Sequence, residues 1–184
     1  MTDLPFPLSG STLVVGSSGV GKTTLTARAL EAWLEANGPA GTVVFDFGPA
    51  IERDGRTIGA RLDRYTTVPD AVWRGTFDAN APRSAGETDE DVLALARENA
   101  ERANRLLGEA PSQPRAVFVN DATIAVQHEV GDLEGLLEYC AAAAFVVVNA
   151  FEGEDFGTGD PVSRRERAVL ERLRAWADRV VELG

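Results

Sequence analysis

Short apolar runs alternate with longer amphipathic stretches along most of the chain. An uninterrupted run of Val, Phe, Leu and Ala is typical of a parallel strand that is buried on both faces. Such runs lie at residues 11–15, 41–47, 115–121, 145–149 and 179–183. Apolar residues at helical spacing lie at 22–37, 88–108, 132–142 and 163–178. This alternation predicts an α/β protein with a mainly parallel five-stranded sheet and helices on both faces.

The ends of the helices carry local signals. Gly38-Pro39 ends the first helix, because glycine accepts the backbone conformation that follows a last turn and proline cannot continue a helix. Thr88 with Asp91 predicts a capping box, in which each residue's side chain bonds to the other's backbone N–H. Ser163 with Glu166 predicts a second capping box at the start of the last helix.

Residues 48–87 form an insert that does not follow this alternation. The insert is rich in Gly, Pro and Arg and shows little clear periodicity. A segment of this length without regular structure is either functional or disordered, and its apolar residues favour an ordered, functional insert. Asp54-Gly55 predicts the turn of a small hairpin. Trp73 and Phe77 either pack in the core or line a pocket for a ligand.

Composition describes a globular protein with one domain over residues 1–184. Hydrophobic residues make up 44% of the chain and charged residues 26%. The net charge of −11 argues against a nucleic acid or an anionic membrane as partner, because both would be repelled. Cys140 is the only cysteine and no signal-peptide pattern is found, so a cytoplasmic location is expected. The acidic balance, with arginine almost replacing lysine, fits either a salt-adapted source or a GC-rich genome.

The loop between the first strand and the first helix carries the strongest chemical signal. Residues 16–24 read Gly-Ser-Ser-Gly-Val-Gly-Lys-Thr-Thr, which is the pattern G-x-x-x-x-G-K-T. Glycines let successive backbone N–H groups turn toward one anion, and a helix N-terminus adds its own unpaired N–H groups. In this pattern Lys22 reaches the β- and γ-phosphates and Thr23 binds Mg²⁺. Lys22 is the only lysine in the chain.

With a buried strand before it and a helix after it, this loop resembles the phosphate-binding loop of the P-loop nucleoside-triphosphatase superfamily over residues 13–24. The resemblance implies a three-layer αβα P-loop fold and a Mg²⁺-bound nucleoside triphosphate, ATP first and GTP not excluded. It also implies a second Mg²⁺ ligand, the Walker B aspartate, at the end of an apolar strand, where Asp121 stands; the alternative is an N-cap. It assigns nucleotide binding to Ser17, Ser18, Gly19, Val20, Gly21, Lys22, Thr23 and Thr24.

The subclass within this superfamily is inferred by eliminating those whose motifs the chain lacks. Additional-strand ATPases follow the Walker B aspartate with a catalytic glutamate, whereas Ala122 follows here. They also need an extra strand between the loop and that aspartate, and the sequence predicts only one strand there. Residues 121–124 and 149–152 lack the D-x-x-G and N-K-x-D motifs of GTPases, and the D-G-x-P-R motif of nucleotide kinases is also absent. The chain is therefore nearest in layout to small P-loop kinases.

The resemblance to small kinases implies an acceptor site between the second strand and Walker B and a lid after the fourth strand. The insert lies at the position of the acceptor site, and residues 151–163 lie at the position of the lid. Arginine binds oxyanions bidentately, so Arg164 and Arg165 are catalytic candidates, the alternative being solvated surface charges. Asp46, at the end of the second strand, is either a catalytic base or a turn aspartate. Asn149, at the end of the fourth, either ends its strand or bonds a nucleotide base.

The expected function is Mg²⁺-dependent transfer of the γ-phosphoryl group from ATP to a small-molecule acceptor. Two alternatives stay open. One is a nucleotide-switched protein, in which residues 48–87 and 151–163 change order and dock a protein partner. The other is a nucleoside-triphosphate hydrolase whose acceptor is water.

Overall fold

The computed structural model describes residues 3–49, 51–53, 56–58, 60–155 and 157–184. Within these residues two short 3₁₀ helices lie at Leu62–Arg64 and Ala122–Val126. The strands and α-helices follow one another as β1 (Gly10–Gly16), α1 (Lys22–Asn37), β2 (Thr42–Asp46), β3 (Ile51–Arg53), β4 (Arg56–Ile58), β5 (Trp73–Thr76), α2 (Pro82–Ala85), α3 (Asp89–Glu109), β6 (Ala116–Asn120), α4 (Leu133–Ala141), β7 (Phe145–Phe151), α5 (Pro161–Trp176) and β8 (Arg179–Leu183).

The main sheet has the strand order β5-β2-β6-β7-β1-β8. Each neighbouring pair is parallel, so the carboxyl ends of all these strands meet at one edge. The prediction of a mainly parallel sheet is confirmed, but the sheet has six strands rather than five. The additional strand is β5, which pairs with β2 at the sheet's edge. Its sequence, Trp-Arg-Gly-Thr, lacks the apolar run by which the other strands were predicted.

Helices cover both faces of the sheet, as the alternation predicts. On one face α1 packs Leu30 and Trp33 against strand residues that include Phe118 and Phe145. On the other face α3, α4 and α5 pack against a second cluster, to which Leu137 and Leu170 belong. Among the described residues, none of the helices combines the length and apolar content that a bilayer crossing needs.

The helix boundaries follow the local signals with one exception. Helix α1 has the predicted bounds, and Thr88 and Asp91 form the predicted capping box of α3. The predicted box of Ser163 and Glu166 is wrong, because Asp160 caps α5 by accepting a hydrogen bond from the Ser163 N–H at 2.9 Å. Pro161 suits the first helical position, where its fixed φ is already helical and no N–H is required.

The insert is built from short elements, of which β5 joins the main sheet and β3 and β4 form a separate two-stranded sheet. Strands β3 and β4 pair in antiparallel fashion, and the predicted turn residues Asp54 and Gly55 lie outside the described residues. Trp73 packs edge-on against Phe45 with ring centroids 5.4 Å apart. Phe77 lies against Phe47 at 5.8 Å. Trp73 and Phe77 therefore pack on the core.

Candidate functional site

The loop that follows β1 needs its glycines for two different reasons. Gly19 and Gly21 have φ values of +79° and +100°, which residues with a side chain rarely adopt. Space is not their constraint, because a Cβ at either position would meet nothing within 4 Å. At Gly16 a Cβ would lie 2.8 Å from Val20 Cγ2 and closer still to the Leu183 carbonyl oxygen. Any side chain at Gly16 would therefore collide with its neighbours.

The backbone N–H groups of this loop form a concave set of donors at the start of α1. No side chain caps the helix. The Ser18 N–H donates to an Asp155 carboxylate oxygen at 3.3 Å. For the N–H groups of Gly19 to Thr24, no acceptor within the described residues has hydrogen-bonding geometry. Unpaired donors at a helix N-terminus form an anion site.

Lys22 places a largely buried ammonium group beside these donors. The side chain is 8% exposed, and Nζ donates to the Ser17 carbonyl oxygen at 2.5 Å. Burial lowers the pKa of Lys22, while the negative charges of Asp121 and Asp155 raise it. Few groups in the loop offset the positive charge of Lys22. The ammonium group therefore attracts an anion that enters the loop.

Thr23 is joined to the ends of the central strands by a buried amide network. Its Oγ1 donates to Asn120 Oδ1 at 3.2 Å. The same oxygen accepts from Asn149 Nδ2 at 2.8 Å, and Asn120 Nδ2 donates to Asp46 Oδ1 at 2.8 Å. Asn149 Oδ1 in turn accepts from the backbone N–H of Asp121 at 2.8 Å. The network therefore sets Thr23 and Asp121 relative to each other.

Asp121 presents a carboxylate with few partners. Its φ of +54° lies in the left-handed region, which is uncommon for residues other than glycine. The side chain is half-buried, and no described residue donates a hydrogen bond to its carboxylate. Burial raises the pKa of Asp121 to about 6, Lys22 opposes this shift, and Asp46 and Glu166 add to it. Such a carboxylate gains from a cation nearby.

Thr23 and Asp121 are the residues that would hold a divalent cation here. Within the described part of the chain, no group of three or more His, Cys, Asp or Glu side chains is arranged to hold a metal. Mg²⁺ does not need such a group, because it binds one or two carboxylates together with substrate phosphates and water. One hydroxyl and one under-compensated carboxylate fit Mg²⁺ that arrives with a phosphate chain.

A cleft of about 200 Å³ opens beside the loop. Its other walls come from the connections that follow β2, β4, β5 and β6, from α2 and α5, and from the last residue of β7, so it lies on the β7–β6–β2 side of β1. It is lined by Ser18, Gly19, Gly21, Lys22, Thr23, Thr24, Pro49, Ala60, Tyr65, Ala81, Pro82, Arg83, Ser84, Asp121, Thr123, Ile124, Gln127, Phe151 and Glu166.

A buried polar cluster, formed by Arg83, Gln127, Ser163 and Glu166, lies at the wall of this cleft. The Arg83 guanidinium donates to both Glu166 carboxylate oxygens, at 2.6 and 3.1 Å, and to Ser163 Oγ at 2.9 Å. Gln127 Nε2 donates to Glu166 Oε1 at 2.7 Å. The guanidinium carbon also lies 5.6 Å from the ring centroid of Phe151. Positive and negative charge are therefore balanced within the cluster.

The sequence-predicted residues divide into two groups. Asp121 and six of the eight predicted loop residues line the cleft, whereas Ser17 and Val20 do not: those that do are Ser18, Gly19, Gly21, Lys22, Thr23 and Thr24. The structure does not bring the other catalytic candidates there. Arg164 is exposed and donates to the Gly159 carbonyl oxygen, and Arg165 donates to the Val126 carbonyl oxygen at 3.3 Å.

Asp46 is fully buried behind the cleft. Its carboxylate accepts hydrogen bonds from the Leu62 N–H and from Asn120 Nδ2, both at 2.8 Å, and lies 3.5 Å from an Arg74 nitrogen. Burial raises the pKa of Asp46, and these donors lower it. The carboxylate orients Asn120 and does not line the cleft. Asn149 likewise bonds only within the network and with Thr26 Oγ1 at 2.8 Å.

Sequence reasoning missed three residues that matter at the site. Asn120 carries a signal, because it ends the same apolar run that Asp121 follows. Gln127 and Glu166 carry no such signal. Both lie in polar stretches, where the sequence pattern does not show which side chains face the interior. The sequence predicts Glu166 in a helix cap, whereas its side chain pairs with Arg83 at the wall of the cleft.

No family model matches the chain, and no curated protein matches it either. Function must therefore be argued from the geometry and chemistry of the site.

Proposed function

We propose that this chain binds a Mg²⁺-bound nucleoside triphosphate, ATP first with GTP not excluded, at residues 16–24 and transfers its γ-phosphoryl group to an acceptor in the cleft. The observation that carries the proposal is the convergence of unpaired N–H groups, Lys22, Thr23 and Asp121 at one end of a single cleft. Each is a group that phosphoryl transfer uses, and together they supply positioning and charge neutralisation.

The proposed roles follow from the surroundings of each group. The loop N–H groups and the Lys22 ammonium bind the phosphate oxygens and offset their negative charge. Thr23 Oγ1 and the Asp121 carboxylate would hold Mg²⁺, which would neutralise negative charge on the phosphate chain. Asn120 and Asn149 keep both ligands oriented, and Asp46 anchors Asn120.

Transfer to a small molecule is supported by the shape and lining of the cleft. Tyr65, Ala81 and Ile124 offer apolar surface, and Arg83 and Gln127 offer polar groups in the same cleft. A mostly apolar cleft with a few convergent polar groups is typical of a small-molecule site. The insert contributes Tyr65 and Arg83, as expected for an acceptor site between the second strand and Asp121.

Hydrolysis with water as acceptor is the second candidate, and the order of the strands favours it. In the sheet, β7 lies between β1 and β6, although it follows β6 in the sequence. The apolar pattern predicts only one strand, β2, between the loop and Asp121. This order is the one expected of additional-strand ATPases, so that class is no longer eliminated by strand count. The position after Asp121 is still Ala122 rather than glutamate, so any catalytic group must come from elsewhere in the cleft.

A switch function has one observation in its favour. Asp155, in the lid residues 151–163, contacts the loop through the Ser18 N–H. A triphosphate in the loop would displace this carboxylate, so the lid would respond to nucleotide.

The test is calorimetry with Mg²⁺-ATP and Mg²⁺-GTP, followed by ADP or GDP formation with and without a panel of nucleosides, sugars and vitamins. Wild type and Lys22→Ala are compared with Arg172→Ala, which removes an exposed cation that pairs with Glu134 and does not line the cleft. We expect binding and turnover in wild type and Arg172→Ala, and neither in a folded Lys22→Ala protein.

The outcomes separate the candidates. A rate that one small molecule raises strongly supports transfer, and a high rate without any addition supports hydrolysis. A low rate that rises only with cellular protein supports a switch. Absence of binding by wild type at millimolar nucleotide would overturn the whole proposal.

A further inference from the structure

Tyr65 leaves an aromatic side chain exposed at the cleft. Among the described residues, Tyr65 is the only exposed large hydrophobic residue, at 48%. It lines the cleft together with Lys22 and Asp121. Because those two residues are the proposed partners of the terminal phosphates and of Mg²⁺, the phosphate end of the nucleotide faces this cleft. Tyr65 therefore lies on the side from which an acceptor approaches.

The backbone that carries Tyr65 is anchored to the core. Its N–H donates to the Leu62 carbonyl oxygen at 2.9 Å. Leu62 is fully buried, and its own N–H donates to the Asp46 carboxylate at 2.8 Å. Asp46 also accepts from Asn120, the residue that contacts Thr23. Tyr65 is therefore tied to the same network as Thr23, and a ligand does not have to order this backbone when it binds.

The size of the cleft limits what can lie against Tyr65. The rest of the apolar lining consists of Pro49, Ala60, Ala81, Pro82, Ile124 and Phe151. An apolar cavity of about 150 Å³ holds one benzene ring. The cleft has a volume of about 200 Å³, part of which the terminal phosphate beside Lys22 would take. The space that remains fits one ring with a short arm and excludes a fused ring system joined to a sugar.

The polar lining does not suit an acceptor with many hydroxyl groups. Arg83, Gln127 and Glu166 form hydrogen bonds among themselves. A sugar would bring several hydroxyl groups, and each of them loses its water unless the cleft supplies a partner. A flat apolar ring needs no such partners and covers the exposed surface of Tyr65.

We infer that the acceptor is a compound with a single planar aromatic or heteroaromatic ring and a short hydroxyl arm, and that its ring stacks on Tyr65. This inference rests on the proposed function. In that reaction a lone pair of the hydroxyl oxygen forms the new bond to the γ-phosphorus while the bond from phosphorus to the β,γ-bridging oxygen breaks. The diphosphate leaves with the electron pair, and the hydroxyl proton passes to solvent. Tyr65 binds the ring and takes no proton.

The test uses two matched pairs of alcohols that differ in planarity. Benzyl alcohol is compared with cyclohexylmethanol, and pyridylmethanol is compared with tetrahydropyranylmethanol. Within each pair the ring size and the hydroxymethyl arm are the same, but only the first compound has an aromatic face. ADP formation at saturating Mg²⁺-ATP gives kcat/KM for each compound, and ligand NMR measures its binding without nucleotide.

The proteins compared are wild type, Tyr65→Phe, Tyr65→Leu and the control Arg172→Ala, which lies outside the cleft. Phenylalanine keeps the ring, and leucine keeps apolar surface without one. In wild type we expect kcat/KM to be about three- to tenfold higher for the aromatic member of each pair, the range that aromatic pairing contributes beyond area burial. Tyr65→Phe and Arg172→Ala should keep this preference. Tyr65→Leu should lose it through a higher KM for the aromatic compound, with a Tm close to that of wild type because the position is exposed.

The outcomes separate this inference from the function on which it rests. If wild type does not bind Mg²⁺-ATP, the proposed function fails and the acceptor role fails with it. If wild type binds and turns over ATP but shows no preference within either pair, this inference fails while the proposed function stands. A preference that Tyr65→Leu retains would also overturn it, because another group would then recognise the ring. A loss of Mg²⁺-ATP affinity in Tyr65→Leu would overturn it too, since Tyr65 would then contact the nucleotide. Should Tyr65→Leu not fold, Tyr65→Met serves as the variant without a ring.

Discussion

Asp121 combines two features that work against stability, a left-handed backbone conformation and a half-buried charge with no hydrogen-bond donor among the described residues. Residues held in such conformations occur most often at functional sites, where the surrounding structure holds them in place. Here Asn149 holds the Asp121 backbone through its N–H. We therefore expect the free energy of unfolding to rise when the charge is removed and function to be lost.

The first prediction concerns Asp121→Asn and the pH dependence of stability. Because the folded-state pKa is raised from 3.8 to about 6, ionisation opposes folding above about pH 6 and has no effect below about pH 4. The variant should be more stable than wild type by about 1 to 3 kcal/mol at pH 8. Asparagine tolerates the left-handed conformation, so the backbone is preserved. Urea unfolding at pH 8, 6 and 4 measures the difference.

The same variant tests the metal role. Asp121→Asn should lose most Mg²⁺-dependent turnover, because an amide is a weaker Mg²⁺ ligand than a carboxylate. The control is Asp70→Asn, which removes an exposed carboxylate outside the cleft and should change neither property. Unchanged turnover, or a stability gain that does not shrink between pH 8 and pH 4, would contradict the role given to Asp121.

The second prediction concerns the thiol of Cys140. Burial raises its pKa to about 12, so the reactive thiolate is scarce and access is blocked. A thiol reagent at pH 8 should leave Cys140 unmodified in the folded protein and modify it completely in urea. Rapid modification without denaturant would show that this part of α4 opens readily.

At the scale of elements, the segment that follows β7 contacts the loop between β1 and α1 through Asp155. The Asp155 carboxylate accepts a hydrogen bond from the Ser18 N–H and also favours the charged form of Lys22. A negative side chain therefore lies where a phosphate chain would bring further negative charge. Nucleotide binding requires this carboxylate to move away or to be compensated.

The third prediction is that Asp155→Asn strengthens nucleotide binding. Removing an exposed negative charge beside the loop should lower the Kd for Mg²⁺-ATP by about two- to fivefold, an effect that shrinks in high salt. Calorimetry at two salt concentrations measures it, and Glu154→Gln serves as the control on the neighbouring exposed carboxylate. Weaker binding would mean that Asp155 instead helps to keep the loop in its binding conformation.

At the scale of the whole molecule, the net charge of −11 means that negative charges repel one another across the surface. Most of the ion pairs among the described residues are exposed, and exposed pairs contribute little to stability. Added salt should therefore weaken the overall repulsion more than it weakens these pairs.

The fourth prediction follows from this balance. Raising salt from 0.1 M to 1 M shortens the screening length from about 10 Å to about 3 Å. We expect a stability gain of about 1 kcal/mol, equivalent to a Tm rise of about 2 to 4 °C for a domain of this size. Thermal unfolding in NaCl and in KCl at equal ionic strength measures it. A fall in Tm would show that attractive pairs dominate over repulsion.

The order of the strands matters at the same scale, because it brings distant residues to one place. Asn120 ends β6, Asn149 lies near the end of the neighbouring strand β7, and Asp46 ends β2 on the far side of β6. Their amide and carboxylate groups meet because parallel strands end at the same edge. The apolar runs predicted these strands but contained no information on which would be neighbours.

The sequence by itself determined the elements and the loop, including α1, the cap of α3 and the position of Lys22, because these depend on residues a few positions apart. Tertiary structure alone decided that β5 joins the sheet, that β7 separates β1 from β6, and that Arg83 meets Glu166 across 83 positions. Such pairings arise where packed elements bury surface together and must satisfy their polar groups. That requirement involves the whole core, so no local pattern can express it.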